Sequence, residues 1–148
     1  MDVLLPDGTL VRATSVFDSE PGETPPTFGL YLDTEWKPAW ANDRIDWPDR
    51  GLPTNWEKAA AQIKRAFTRA KSGEIVEVGC RLGLGRTGTV LACMATLAGL
   101  PADEAVPWVR KSYRAASVET PDQEAWVRWF ASWVQEGLPR RQPAKASD

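Results

Sequence analysis

One stretch constrains this chain more than any other, and it runs from Val78 to Thr89. The short apolar run from Glu74 to Gly79 before it is typical of a buried strand, and the run from Thr87 to Ala98 is apolar nearly all round, as in a buried helix. Cys80 and Arg86 therefore lie at the two ends of a glycine-containing loop that joins a strand to a helix.

A loop of this kind is expected to bind an oxyanion. Its backbone N–H groups point inward, the helix N-terminus adds a partial positive charge, and Arg86 offers a planar fork of donors. The same field favours the thiolate form of Cys80 near neutral pH. A nucleophile beside a cradle for a tetrahedral oxyanion indicates chemistry on a phosphate.

An acid for the leaving group has to be sought among the carboxylates, because the chain contains no histidine. The lack of histidine also excludes most zinc sites, and neither a metal nor a cofactor is expected. Asp43, Asp46 and Asp49 are the nearest supply, in a segment from Trp36 to Pro53 that is rich in tryptophan, proline and aspartate and is interpreted as a long ordered loop.

Three segments, in this order along the chain, carry a resemblance to a known family. Trp47-Pro48-Asp49, followed by Arg50-Gly51-Leu52-Pro53, resembles the movable acid loop of the cysteine-dependent protein tyrosine phosphatases. Cys80-x5-Arg86-Thr87-Gly88 resembles their signature loop, and the segment from Val118 to Gln123 resembles their glutamine-bearing segment. The match spans roughly residues 28–135, and the small size is similar to compact bacterial or dual-specificity members.

The resemblance implies a role for the residues of the loop. Cys80 would be the nucleophile that becomes phosphocysteine, and Thr87 would donate a hydrogen bond to its sulfur. The phosphate oxygens would be held by the Arg86 side chain and by the backbone amides of Arg81, Leu82, Gly83, Leu84, Gly85 and Arg86.

It also implies roles for residues outside the loop. Asp49 would protonate the leaving oxygen and then act as a base toward water. Trp47 and Pro48 would form the hinge of the closing acid loop. Gln123 would position the water in the second step, leading to hydrolysis of a phosphate monoester, most notably phosphotyrosine in proteins.

Several of these residues have a second interpretation. Gln123 also fits a capping box with Thr120, Thr87 fits an N-cap, and Asp46 is a rival to Asp49. Gly79 departs from the family, which usually has histidine there, so a phosphate-binding pseudophosphatase is an alternative. A rhodanese-like sulfurtransferase is another, because its cysteine loop can also begin Cys-Arg.

The fold class expected is α/β, as one domain. A largely parallel sheet of about four strands would have helices on both faces, with the site at the carboxyl edge of the strands. The domain would span residues 1–137, with an N-terminal hairpin over 1–12 and a catalytic core over 28–135. Residues 138–148 are interpreted as a disordered tail.

Composition limits the partners. Residues 1–50 carry ten acidic and four basic side chains and the remainder ten acidic and fourteen basic, which suits an anionic ligand but is too dispersed for nucleic acid. No apolar run approaches a membrane span, so a cytoplasmic protein without a membrane partner is expected. The protein is also expected to be a monomer. Its substrate would be a phosphorylated protein or a small phosphomonoester.

Cys93, in the apolar helix, is interpreted as a buried inert thiol, with a redox partnership to Cys80 as the alternative.

Overall fold

The computed structural model describes residues 1–15, 24–32, 38–81 and 84–136. The expected tail over 138–148 and loop residues Leu82 and Gly83 lie outside this part. The described chain forms five strands and four helices: β1 (Asp2–Leu4), β2 (Leu10–Ser15), β3 (Phe28–Tyr31), β4 (Asn42–Arg44), α1 (Trp56–Lys71), β5 (Val76–Cys80), α2 (Gly85–Leu97), α3 (Ala102–Ser112) and α4 (Pro121–Glu136).

The sheet has the order β1-β2-β5-β3-β4, with β5 at its centre. Strands β2, β5, β3 and β4 are parallel, and β1 is antiparallel to β2. This confirms a largely parallel α/β sheet, with five strands in place of about four. Cys80 is the last residue of the central strand and lies opposite Ser15 of β2. The carboxyl ends of parallel strands are where an open α/β sheet offers a binding crevice, so the topology puts Cys80 there.

Strand β4 is the element that the sequence did not predict, because it falls inside the segment interpreted as a loop. Asn42, Asp43 and Arg44 are all half-buried and polar, so the strand shows neither apolar residues nor alternation. Its parallel pairing with β3 at one edge of the sheet makes it a strand. Asp43 is thereby fixed in the sheet, where Arg65 of α1 lies 3.3 Å from its carboxylate.

The core joins the helices to one set of alternating strand residues. Val76, Val78 and Cys80 of β5 belong to a single buried cluster with residues of α1, α2, α3 and α4. Burying large apolar surface of this kind is the main favourable term in folding. Helix α2 is buried from Gly85 to Ala95, as its apolar sequence predicts, and it carries the end of the loop into the core.

The opposite face of the sheet holds a buried polar cluster. The Tyr31 phenol donates to Glu77 and accepts from the Trp40 indole, each at 2.6 Å. Burial, reinforced by the hydrogen bond to the Glu77 carboxylate, raises the pKa of Tyr31 far above its ordinary range. Gly29 lies beneath the Tyr31 ring, and any side chain at this position would collide with that ring.

Two helix starts show how tertiary contacts decide between candidate caps. Thr54 and Glu57 have the spacing of a capping box at the start of α1. Asn55 caps the helix instead, by accepting from the Lys58 backbone amide, because the Thr54 hydroxyl donates to Asp46. Helix α4 begins as expected, with the Gln123 backbone N–H donating to the Thr120 hydroxyl at 3.1 Å. Helix α3 continues from Ala102 to Ser112 through Pro107, although an interior proline commonly kinks or breaks a helix.

None of the helices over residues 1–15, 24–32, 38–81 and 84–136 is both long and apolar enough to cross a bilayer.

Candidate active site

The loop after β5 brings a strand end and a helix N-terminus together. Cys80 closes β5, and Arg86 and Thr87 belong to the first turn of α2. Leu84 precedes the helix, and its side chain makes no capping hydrogen bond. The first amides of a helix have no partner within the helix, so those of α2 are available to an anion.

The sulfur of Cys80 is held by a hydroxyl group. Thr87 Oγ1 donates to Cys80 Sγ at 2.9 Å, and both residues are buried. A donor at this distance stabilises negative charge on sulfur more than it stabilises the neutral thiol. The predicted contact between these two residues is therefore formed. The N-cap interpretation of Thr87 is wrong, because the N-cap position belongs to Leu84 and Thr87 is the third residue of α2.

Arg86 is held rigidly by one end of its guanidinium group. Its Nη1 donates to the carbonyl of Leu32 at 3.1 Å and to that of Trp47 at 2.8 Å. Within the described part of the chain, its Nε and Nη2 make no hydrogen bond, and the side chain is 9% exposed. Two donors thus remain in a fixed plane for a tetrahedral anion.

Asp49 lies above this arginine. Its Oδ1 is 3.8 Å from Arg86 Nε, and its side chain is 67% exposed. The rival Asp46 instead accepts from the Thr54 hydroxyl at 3.0 Å, and Asp43 pairs with Arg65. Of the three aspartates of the segment, Asp49 is the one that the structure brings to the Cys80 loop.

The acid loop is anchored through Trp47. This side chain is buried, its ring meets that of Trp126 edge-on with centroids 5.3 Å apart, and its Nε1 donates to the Gly51 carbonyl at 2.8 Å. The Gly51 amide in turn donates to the carbonyl of Pro48 at 2.9 Å, which closes a tight turn around the exposed Asp49. Trp47 and Pro48 come directly before Asp49, and the buried Trp47 side chain fixes this end of the acid loop.

Gln123 is fully buried, and its side-chain amide is bonded at both ends. Its Oε1 accepts from the Glu119 amide at 2.7 Å, and its Nε2 donates to the Gly51 carbonyl at 3.0 Å. The capping interpretation is observed through the backbone bond to Thr120. The contact with the acid loop was not anticipated.

Sequence reasoning also missed Glu119, which lies against the phosphate loop. Any side chain at Gly85 would collide with the Glu119 carboxylate. Glu119 Oε2 is 3.9 Å from Arg50 Nη1 of the acid loop. The signal was present in Val118-Glu119-Thr120-Pro121-Asp122-Gln123, but spacing alone does not say which carboxyl or amide in such a segment faces the loop.

The remaining candidates divide by exposure. Arg81 is exposed beside the loop, and Leu84 is half-buried. Cys93 is fully buried in α2, and desolvation by that burial raises the pKa of its thiol well above the ordinary value. A search of the described residues finds no group of three or more histidine, cysteine, aspartate or glutamate side chains that could hold a metal ion.

Comparison with known proteins agrees with this geometry. The family model described as protein-tyrosine phosphatase matches residues 39–128, which include the acid loop, the Cys80 loop and Gln123. Two uncharacterized proteins of Methanocaldococcus jannaschii are each 34% identical, one over 109 residues and the other over 119. The first alignment covers 66% of this chain and 71% of the relative, and the second covers 73% and 72%.

Solved structures show the same fold at low identity. Human DUSP28 superposes with a TM-score of 0.71 at 13% identity, covering 93% of this chain and all of the other. The active form of Tk-PTP gives a TM-score of 0.55 at 20% identity, over 72% of this chain and 79% of the other. Kinase associated phosphatase gives 0.64 at 15% identity, over 76% and 72%.

Proposed function

Because the chain belongs to the protein-tyrosine phosphatase family, we propose that it hydrolyses phosphate monoesters through a phosphocysteine on Cys80, with phosphotyrosine in proteins as its substrate class. The observation that carries the proposal is the meeting of four side chains at the carboxyl end of β5. Thr87 lies 2.9 Å from the Cys80 sulfur, and Asp49 lies 3.8 Å from Arg86. A nucleophile, a donor to it, an anion-binding fork and an acid are what phosphoryl transfer to sulfur requires.

In the first step the Cys80 thiolate attacks phosphorus. The S–P bond forms, the P–O bond to the tyrosine oxygen breaks, and Asp49 in its acid form gives its proton to that oxygen. Nε and Nη2 of Arg86, with the first amides of α2, hold the equatorial oxygens as their charge develops. The bonds that fix Nη1 to Leu32 and Trp47 support this role, because they set the guanidinium plane before substrate arrives.

In the second step water displaces the sulfur. A P–O bond forms, the S–P bond breaks, and the Asp49 carboxylate takes the proton that the water loses. The leaving group is now the Cys80 thiolate. The Thr87 hydroxyl, already directed at Sγ, stabilises the negative charge that returns to the sulfur.

The position of Asp49 favours a phosphatase over a sulfurtransferase. Sulfur transfer to a cysteine loop needs no acid above the anion site, whereas expulsion of a phenolate or alkoxide does. The two activities are separated by Asp49→Asn, which should leave a sulfurtransferase intact and lower phosphatase activity by about 10²-fold or more.

The experiment for the proposal is phosphate release from an aryl phosphate, with Cys80→Ser as the matched variant. Steady release by the natural protein and its loss in Cys80→Ser are expected. Equal release by the two proteins, or none from the natural protein, would overturn the proposal, and the latter result together with tungstate binding would favour a pseudophosphatase.

The substrate class is tested separately with a set of phosphopeptides that share one sequence. We propose a monomeric protein that acts on phosphorylated proteins. Phosphotyrosine should therefore be hydrolysed faster than phosphoserine or phosphothreonine. Similar rates on all three would instead assign dual specificity while leaving the mechanism on Cys80 unchanged.

A further inference from the structure

The Gly51 carbonyl of the acid loop accepts two hydrogen bonds from side chains. Trp47 Nε1 donates to it from within the loop at 2.8 Å. Gln123 Nε2 donates from the start of α4 at 3.0 Å, across 72 positions of sequence. This carbonyl lies two residues after Asp49, so the second bond ties the backbone next to the candidate acid to a different part of the protein.

The chain from Ser117 to Gln123, here called the bracing segment, is wedged against the beginning of α2. A side chain at Gly88 would collide with Ser117, and one at Gly85 would collide with Glu119. Arg110 of α3 holds the segment from behind, donating to the carbonyls of Ser117 at 3.0 Å and Val118 at 2.7 Å. The segment therefore touches the helix that carries Arg86 and Thr87 as well as the acid loop.

Both partners of the contact contain a strained backbone. Arg50 has a φ of 60° and Val118 a φ of 61°, and among the described residues these are the non-glycine positions with positive φ. Such a conformation costs about 1–3 kcal/mol and persists where surrounding contacts enforce it. It is least expected for a β-branched residue such as Val118.

We propose that Gln123 is a positioning residue for Asp49: through its bond to Gly51 it holds the acid loop over the phosphate loop. Glu119 adds a weaker constraint through Arg50, which is 69% exposed, so that pair contributes little by itself. The inference rests on the proposed function and assigns Gln123 to the first chemical step. Water positioning would instead assign it to the second step.

The two roles differ in their dependence on the leaving group. Loss of a positioned acid matters little when the leaving oxygen is already a weak base, as in p-nitrophenyl phosphate. It matters much more for phenyl phosphate, whose leaving group must be protonated. A water-positioning residue acts after the leaving group has gone, so its loss leaves kcat/KM unchanged and makes the phosphoenzyme accumulate.

The test compares Gln123→Met with Gln62→Met on both substrates. Gln62 is the matched control, because its Nε2 also donates to a backbone carbonyl, that of Arg44 at 2.9 Å, which belongs to β4 and not to the acid loop. Gln123→Met should lower kcat/KM for phenyl phosphate by about 10-fold, which is less than the loss of about 10²-fold or more expected when Asp49 itself is replaced. For p-nitrophenyl phosphate, kcat/KM should fall by no more than about 2-fold. Gln62→Met should match the natural protein on both.

A second comparison places the effect on Asp49. In an Asp49→Asn background, Gln123→Met should cause no further loss, because the group that it positions is gone. An equal loss on both substrates, an additive loss in the double variant, or phosphoenzyme accumulation with unchanged kcat/KM would each overturn the inference. A natural protein that releases no phosphate would instead contradict the proposed function itself.

Arg50→Gln keeps the inference testable if Gln123→Met does not fold, since Arg50 is exposed. It should reproduce the selective loss on phenyl phosphate at about 2-fold, as expected for a pair worth about half a kcal/mol. In that case, a loss equal on both substrates would contradict the inference.

Discussion

Thr87 Oγ1 donates to Cys80 Sγ at 2.9 Å, and both groups are buried. Seven positions separate them in the chain, and the turn from β5 into α2 brings them together. Because the bond is to sulfur, its strength changes with the charge on sulfur, and it is greatest when Cys80 is a thiolate, the form in which it leaves in the second step.

Thr87→Val removes this donor while keeping the shape of the side chain. A hydrogen bond to a charged group contributes about 1.5–3 kcal/mol, which corresponds to roughly a 10- to 100-fold slower release of sulfur in the second step. Rapid-quench kinetics should show a burst of phenol followed by slow turnover. Thr87→Ser, which retains the hydroxyl, should turn over without a burst, and a burst in both variants would contradict the role.

Activity should depend on pH as a bell. The proposed mechanism needs Cys80 as a thiolate and Asp49 with its proton, so activity should fall at both ends of the pH range. In Asp49→Asn the high-pH limb should disappear while the low-pH limb remains, measured as kcat/KM for phenyl phosphate. Persistence of the high-pH limb in that variant would assign the acid to another residue.

Gly85 and Gly88 should respond differently to alanine. At Gly88 the new methyl meets the body of Ser117, which Arg110 holds in place. Overpacking costs typically 1–3 kcal/mol against a gain of about 1 kcal/mol in helix propensity, so we expect net destabilisation of about 1 kcal/mol. At Gly85 the obstacle is the flexible end of Glu119, and the change should be less than about 0.5 kcal/mol.

Urea unfolding measures both changes in the free energy of unfolding. Equal values for the two variants would contradict the difference drawn between Ser117 and Glu119 as neighbours. A Gly85→Ala protein less stable than Gly88→Ala would show that Glu119 is held more firmly than its partly exposed side chain indicates.

Cys93 should be unreactive in the folded protein. Burial raises the pKa of its thiol, so the thiolate that reacts with iodoacetamide is scarce and enclosed. In Cys80→Ser, mass spectrometry should find no label on the native protein and one label, at Cys93, after unfolding in guanidinium. Labelling of Cys93 in the native variant would contradict its role as an inert core residue.

The parts of this site that could be predicted are those that are local in sequence. Cys80, Arg86 and Thr87 lie within eight residues on one strand–loop–helix unit, so their spacing nearly determines their geometry. Asp49 could be assigned because a resemblance linked its segment to that unit.

What could not be predicted depends on contacts between distant segments. The bond from Gln123 to Gly51 spans 72 positions, and no local pattern encodes it. Strand β4 has polar residues throughout, and its pairing with β3 is what defines it. Thr54 has the sequence of a cap, but Asp46 takes its hydroxyl.

The central claim is that the sulfur of Cys80 receives the phosphoryl group. The direct measurement is mass spectrometry of the protein after acid quench during turnover of p-nitrophenyl phosphate, with Thr87→Val used to prolong the intermediate. The account predicts one added phosphoryl group on the peptide that contains Cys80, and none in Cys80→Ser. Turnover without a phosphorylated Cys80 peptide, or phosphate release that survives in Cys80→Ser, would contradict it.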